Sequence, residues 1–180
     1  MPFDVREMQA KGARVLAEGL LVFPSEFTPS TTTPLAYWKT GSFGFVVFLA
    51  GSPYVEPHPD LRLWTGQYHL SNDEWTPGAP SGGPLGLPDE TEDKAVRWAI
   101  RWAGRVTGGS EGEGPALIVW GWCSNRVARL SLVQDQDRVS IPIGHLGSWV
   151  VGSEREDQWR VEASDDAGNN LGFINQDWWW

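Results

Sequence analysis

The last third of the chain alternates apolar and polar residues in short segments, and this pattern constrains the fold more than any other feature. In one segment Leu130 and Leu132 share one side, whereas Arg129 and Ser131 share the other. Such alternation is typical of strands with one buried and one solvated face. The pattern predicts strands at 116–123, 126–134, 138–143, 148–151, 158–165 and 170–174.

Turn-forming residues separate these predicted strands. Residues 135–137 and 166–169 have the composition of hairpin turns, because Asp and Asn hydrogen-bond to their own backbone and Gly accepts a positive φ angle. Short strands joined by such turns are typical of sandwiches. The fold class predicted for the chain is therefore mainly β: an antiparallel β-sandwich with one or two helices.

The N-terminal half also contains strand patterns. We predict strands at 35–39, 43–50 and 61–71, with an irregular Gly- and Pro-rich connection over 75–88. Residues 43–50 are apolar on both sides, which favours a central strand covered on two faces.

Two segments carry helix signals. The main helix is predicted at about 89–106, where four acidic residues occupy the first turn and apolar residues recur at helical spacing. A second helix is predicted at 4–18, with Asp4 as N-cap and Glu7 three residues later. Gly12 interrupts that pattern, and a strand at 13–23 is the alternative.

The length of 180 residues fits one domain, so we predict a single domain over 1–180. Within it we distinguish an N-terminal β region at 1–88, the helix at 89–109 and a β-sandwich portion at 114–174. The sequence leaves open whether the N-terminal region forms a separate sheet.

The region 116–174 resembles bacterial Ig-like and related transthyretin-like β-sandwich repeats. The resemblance is carried by GW at 121–122, VARLSL at 127–132, GSWVV at 147–151 and VEASDDAGN at 161–169. It implies a sandwich with a binding or spacer role and brings no catalytic residues. Unlike those repeats, this sequence has no tandem copy and no secretion signal.

The charge and the apolar runs narrow the choice of partners and compartment. A formal net charge of −9 argues against nucleic acid and anionic membranes, and Arg126 and Arg129 are too few to claim a basic patch. The apolar runs are too short to span a membrane. We expect a cytoplasmic protein, or a secreted one if a leader has been removed. The single cysteine, Cys123, is expected to be buried.

Tryptophan is the one residue type whose abundance invites a functional interpretation, since the chain has 12. Indole rings present a flat apolar face and one N–H, which suits sugar rings and protein interfaces. Most are expected in the core. The better exposed candidates for ligand binding are Trp38, Trp75 and the C-terminal Trp178, Trp179 and Trp180.

A weaker candidate is a metal site formed by Glu56, His58 and Asp60, three ligand types in five residues. The spacing matches no strong metal motif and a solvated loop is the favoured interpretation of these residues, so we predict no cofactor. The sequence contains no catalytic motif. We therefore expect a non-enzymatic binding or protein-interaction module, with a protein partner or homo-oligomer. The alternatives are a carbohydrate-binding module that uses Trp platforms and an enzyme of unrecognised type.

Overall fold

The computed structural model describes residues 4–28, 31–51, 61–78, 81–86, 100–107 and 114–177. The chain divides into two compact units, Met1–Leu87 (unit 1) and Pro88–Trp180 (unit 2). Each unit is described by itself, and the single domain over 1–180 stays a prediction. Among the described residues, no helix is long and apolar enough to cross a membrane.

The described residues of unit 1 form one helix and one five-stranded antiparallel sheet. Its elements are α1 (Val5–Glu18), β1 (Thr33–Thr40), β2 (Phe43–Gly51), β3 (Leu61–Ser71), β4 (Glu74–Pro77) and β5 (Ser81–Gly86). The strand order is β1-β2-β3-β4, and β5 also pairs with β3. Strand β2 is buried along its whole length, which confirms the prediction of a strand covered on both faces.

Helix α1 is defined by caps at both ends. The Asp4 side chain accepts a hydrogen bond of 2.8 Å from the backbone N–H of Arg6. At the other end Gly19 has a left-handed conformation and its N–H donates to the carbonyl of Val15. The predicted helix at 4–18 is therefore confirmed, and the alternative strand at 13–23 is wrong because residues 13–18 are helical.

The helix packs closely on the sheet because of Gly12. Buried Met8 and Leu16 contact a cluster that includes Phe48 and Tyr68. A Cβ atom added to Gly12 would lie 1.9 Å from the Tyr68 hydroxyl oxygen. Glycine therefore lets the helix backbone reach the ring, and the Tyr68 hydroxyl donates to the Met8 carbonyl at 3.4 Å. The residue that weakened the helix pattern in the sequence is required by the packing.

The described residues of unit 2 form two antiparallel sheets. Its elements are β6 (Ile100–Thr107), β7 (Leu117–Cys123), β8 (Arg129–Gln134), β9 (Asp137–Ile141), a 3-10 turn (His145–Gly147), β10 (Ser148–Ser153), β11 (Arg160–Ser164) and β12 (Asn170–Asn175). The three-stranded sheet has the order β10-β7-β6, and the four-stranded sheet has the order β12-β11-β8-β9. Buried residues of both sheets form one hydrophobic cluster. The sandwich arrangement itself stays a prediction.

The structure corrects the main helix predicted at 89–106. Residues 100–107 form strand β6, which pairs along its length with the buried strand β7. Ile, Trp, Val and Thr in this segment favour strands, and pairing with β7 overrides the helical spacing. Residues 89–99 lie outside the described part of the chain.

A second correction concerns 75–88, which was predicted to be irregular. Two short strands, β4 and β5, lie within or overlap this range because the 11-residue strand β3 offers enough length for both. Strand β4 pairs with Tyr68–Ser71 and β5 with the Arg62–Thr65 portion. Long-range pairing with β3 therefore outweighs the turn-forming composition.

Candidate functional site

Unit 1 has an open groove at one end of its sheet, with a volume of about 510 Å³. We call it the Trp75 groove. The end of α1, the β1–β2 turn and the β3–β4 hairpin enclose it. It is lined by Leu16, Ala17, Lys39, Thr40, Gly41, Leu70, Asp73 and Trp75.

Two hydrogen bonds fix the helix end beside the groove. The Lys39 ammonium donates to the carbonyl of Leu16, which is one of the last carbonyls of α1 and has no partner within the helix. The Tyr37 hydroxyl donates to the carbonyl of Gly19 at 3.3 Å. The end of α1, which forms one wall of the groove, is therefore hydrogen-bonded to strand β1.

Trp75 forms the opposite wall. It is partly buried and lies opposite Leu70 in the pairing of β3 with β4. A Cβ atom on Gly44 would lie 3.1 Å from the indole ring of Trp75 and 2.5 Å from Leu16. The absence of a side chain at Gly44 thus lets the ring and the helix approach the sheet together.

A tight turn places Asp73 at the rim of the groove. Asn72 and Asp73 join β3 to β4 with φ angles of 52° and 64°. Positive φ at both central positions is the signature of a type I′ hairpin turn, which Asn and Asp tolerate well. The turn thus sets the backbone position of Asp73, which lines the groove together with Trp75.

Unit 2 has a charged surface on the outer side of its four-stranded sheet. We call this surface the arginine face, and it carries Arg129, Arg138, Arg160, Glu162 and Phe173. Residues on the other side of the same strands belong to the core. Pairing places Arg160 and Arg138 on either side of the neighbouring strand β8, and Phe173 directly opposite Glu162.

Glu162 holds two of these arginines. Its carboxylate oxygens lie 2.5 Å from Nη2 of Arg138 and 2.6 Å from Nε of Arg160. Arg138 reaches across β8 over Ser131, whose small side chain stands opposite Glu162. Burial opposes ionisation of Glu162, but the hydrogen bonds and charges of the two arginines outweigh it and lower its pKa below the ordinary value.

A depression of about 400 Å³ adjoins the arginine face. The half-exposed ring of Phe173, 48% accessible to solvent, borders it. The depression is lined by Val133, Asp135, Gln158, Trp159, Arg160, Phe173, Asn175 and Gln176. Gln176 is held in place because its side-chain oxygen accepts a hydrogen bond of 3.2 Å from the Trp159 backbone.

The carboxylates of the β8–β9 turn surround Arg155. Its guanidinium contacts Asp157 and Asp135 and lies 3.1 Å from Asp137. Hydrogen bonds from Asp157 and then Asp135 raise the pKa of Arg155 above its ordinary value. These aspartates therefore form ion pairs with Arg155 on the surface of unit 2.

The predicted tryptophan sites have different outcomes. Trp75 lines a groove, whereas Trp38 lies opposite Phe45, on the face of the sheet away from α1. The two rings therefore form no common platform. The other candidates lie outside the described residues: Trp178, Trp179 and Trp180, and the possible metal ligands Glu56, His58 and Asp60. In the part of the chain that is described, no three His, Cys, Asp or Glu side chains form a metal-binding group.

Cys123 is a core residue, as the sequence predicted. Its thiol donates to the carbonyl of Gly147 at 3.4 Å. Burial raises its pKa to about 12, so the thiol stays protonated near neutral pH. Cys123 therefore has a structural role in the core of unit 2.

The arginine face was missed at the level of sequence, where only Arg126 and Arg129 were considered. The missing signal is the register of the β8–β9 hairpin. Because Gln134 pairs with Asp137, Arg138 falls beside Val133 and on the outer side of the sheet. Only the pairing of β11 with β8 then adds Arg160.

Comparison with protein-family models, with curated proteins and with solved structures found no match. The resemblance of 116–174 to Ig-like repeats therefore stays a prediction.

Proposed function

We propose that this chain is a non-enzymatic protein-interaction module whose arginine face binds an acidic segment of another protein. The observation that carries the proposal is the surplus of arginine on one sheet face of an acidic chain. That face has three arginines and one glutamate, although the formal net charge of the chain is −9. Complementary charge increases the association rate and specificity for an acidic partner.

The two paired arginines retain capacity for a further carboxylate. Each guanidinium has five N–H donors, and the ion pairs to Glu162 use Nη2 of Arg138 and Nε of Arg160. The remaining donors can bind a carboxylate in the bidentate geometry that arginine favours. Glu162 thus holds the two side chains in position without saturating them.

Phe173 supplies an apolar anchor next to these charges. It is 48% exposed and lies directly across from Glu162. Aromatic and arginine side chains account for much of the binding energy in protein interfaces. The arrangement therefore suits a partner segment that combines carboxylates with an apolar side chain.

Backbone NMR spectroscopy with two defined peptides tests the proposal. One peptide alternates Glu and Leu, and the other alternates Lys and Leu. We expect the acidic peptide alone to shift the amide signals of Ser131, Arg160 and Phe173. The result that overturns the proposal is equal shifts with both peptides, or shifts elsewhere with the acidic one.

Matched variants separate the face from general charge attraction. Arg129→Ala and Arg14→Ala each remove one exposed positive charge, but Arg14 lies on α1 in unit 1. We expect Arg129→Ala alone to weaken binding of the acidic peptide, the addition of Phe173→Ala to bring the loss to about tenfold, and Arg14→Ala to leave binding unchanged. Equal effects of the two arginine substitutions would contradict a localised site.

A further inference from the structure

We propose that the Trp75 groove binds a neutral saccharide. This site is separate from the arginine face, and its occupancy does not depend on the function proposed above. Its volume of about 510 Å³ lies within the range of small-ligand clefts. The argument rests on the side chains that line it.

The groove combines an apolar platform with unused polar groups. The indole of Trp75 and the aliphatic side chain of Leu70, both partly exposed, form the apolar part, and fully buried Leu16 lies beneath them. Within the described part of the chain, no residue pairs with the Asp73 carboxylate, the Thr40 hydroxyl or the indole N–H of Trp75. An aromatic face with several hydrogen-bonding groups around it matches the CH face and the hydroxyls of a sugar ring.

The charges of the groove favour a neutral ligand. Of the residues that line it, Lys39 and Asp73 carry charge, one of each sign. The Lys39 ammonium already donates to Leu16 at the negative end of α1, which leaves two of its three donors for a ligand. A ligand with a net charge would meet one partner of like sign, whereas hydroxyl groups can bind to both.

The groove is also pre-organised. Lys39 and Tyr37 fasten the helix end to β1. Gly44 leaves room for the Trp75 ring and for Leu16 at the sheet, and the Asn72–Asp73 turn fixes the backbone that carries the carboxylate. A ligand that enters therefore orders few side chains, which reduces the entropy cost of binding.

Titration of the full chain with glucose, galactose, mannose and N-acetylglucosamine, followed by backbone NMR spectroscopy, tests the proposal. Acetate and methylammonium serve as charged comparison probes. We expect at least one sugar to shift the amide signals of Thr40, Gly41, Asp73 and Trp75. The proposal is overturned if no sugar produces these shifts, or if either charged probe binds more tightly.

Substitutions at the groove give a second, independent test. Asp73→Asn removes one acceptor and Trp75→Phe reduces the platform, while both preserve most of the packing. We expect each to weaken sugar binding roughly tenfold. Trp38→Phe is the matched control on the opposite face of the sheet and should leave affinity unchanged. Equal loss with Trp38→Phe would assign the effect to the sheet as a whole and refute the site.

Discussion

The two units bury their sheets in different ways. In unit 1 a helix covers one face of the sheet, and Gly12 and Gly44 let backbone and large side chains come close together. In unit 2 two sheets contribute side chains to one core, in which Trp149 and Trp159 are among the largest. Both cores contain large buried side chains, but in unit 1 the close approach of the helix to the sheet also depends on two positions without a side chain.

The surfaces of the two sheets that carry the candidate sites also differ between the units. On the helix side of the unit 1 sheet, α1 packs on the described residues and ends at the Trp75 groove. The outer side of the four-stranded sheet in unit 2 carries the arginine face, where Arg138 and Arg160 are exposed on either side of buried Val133. Each candidate site thus follows from what covers the sheet.

The largest expected effect comes from breaking the core of unit 2. Trp149 is fully buried, and none of the described residues accepts a hydrogen bond from its indole N–H. We expect Trp149→Ala to lower the free energy of unfolding by about 3–5 kcal/mol, measured by urea denaturation. Trp149→Phe should cost less, because it keeps one ring and removes the unpaired N–H. A loss with Trp149→Ala below about 1 kcal/mol would contradict the large-residue account of this core.

The next largest loss of stability is expected from a substitution that disturbs the close packing of α1 on the sheet of unit 1. On an exposed helix, Gly→Ala raises stability by about 1 kcal/mol. At Gly12 the new methyl group would lie 1.9 Å from the Tyr68 hydroxyl and 2.8 Å from the ring of Phe48. We therefore expect Gly12→Ala to lower the unfolding free energy by about 1–3 kcal/mol.

Two further variants isolate this clash. Adding Tyr68→Phe removes the nearest atom, so the double variant should lose less stability than the sum of the two single variants. At exposed Ala10, Ala→Gly should cost about 1 kcal/mol, as helix propensity alone requires. A Gly12→Ala protein more stable than the parent would show that the helix does not approach the sheet this closely.

Much of the secondary structure in the last third could be predicted from the sequence. Alternation around Leu130 and Leu132 indicates a strand because it records which side is buried, and turn residues mark where each strand ends. The same logic identified β2 from its unbroken apolar run. These signals are local, so no tertiary information was needed.

The errors arose where pairing partners are distant in sequence. The spacing of Ala99, Ile100 and Ala103 fits a helix, but the described residues 100–107 gain their hydrogen bonds from β7. Trp75 could be selected by residue type alone. Its neighbours Leu16 and Lys39 come from other elements, so the groove itself could not be predicted. The arginine face likewise required the register of β8, β9 and β11.

The smallest expected effect on stability comes from the ion pairs of Glu162 on the arginine face. Arg138 and Arg160 lower the pKa of Glu162 in the folded protein, so folding favours its ionised form. This contribution to stability is complete above the unfolded pKa of about 4.3 and is lost as the pH falls through the folded value. The pairs are largely exposed, with 56% and 51% of the arginine side chains accessible. We therefore expect Glu162→Gln to cost at most about 1 kcal/mol at neutral pH.

The pH dependence distinguishes this ion-pair effect from a loss of packing. The difference in unfolding free energy between the parent and Glu162→Gln should shrink as urea denaturation is repeated at increasingly acidic pH, and it should also shrink with added salt at neutral pH. Glu156→Gln is the matched control, because Glu156 is exposed and has no ion pair among the described residues. A difference that persists unchanged in acid would mean that Glu162 stabilises the sheet through contacts independent of its charge. The arginines would then not depend on it for their placement.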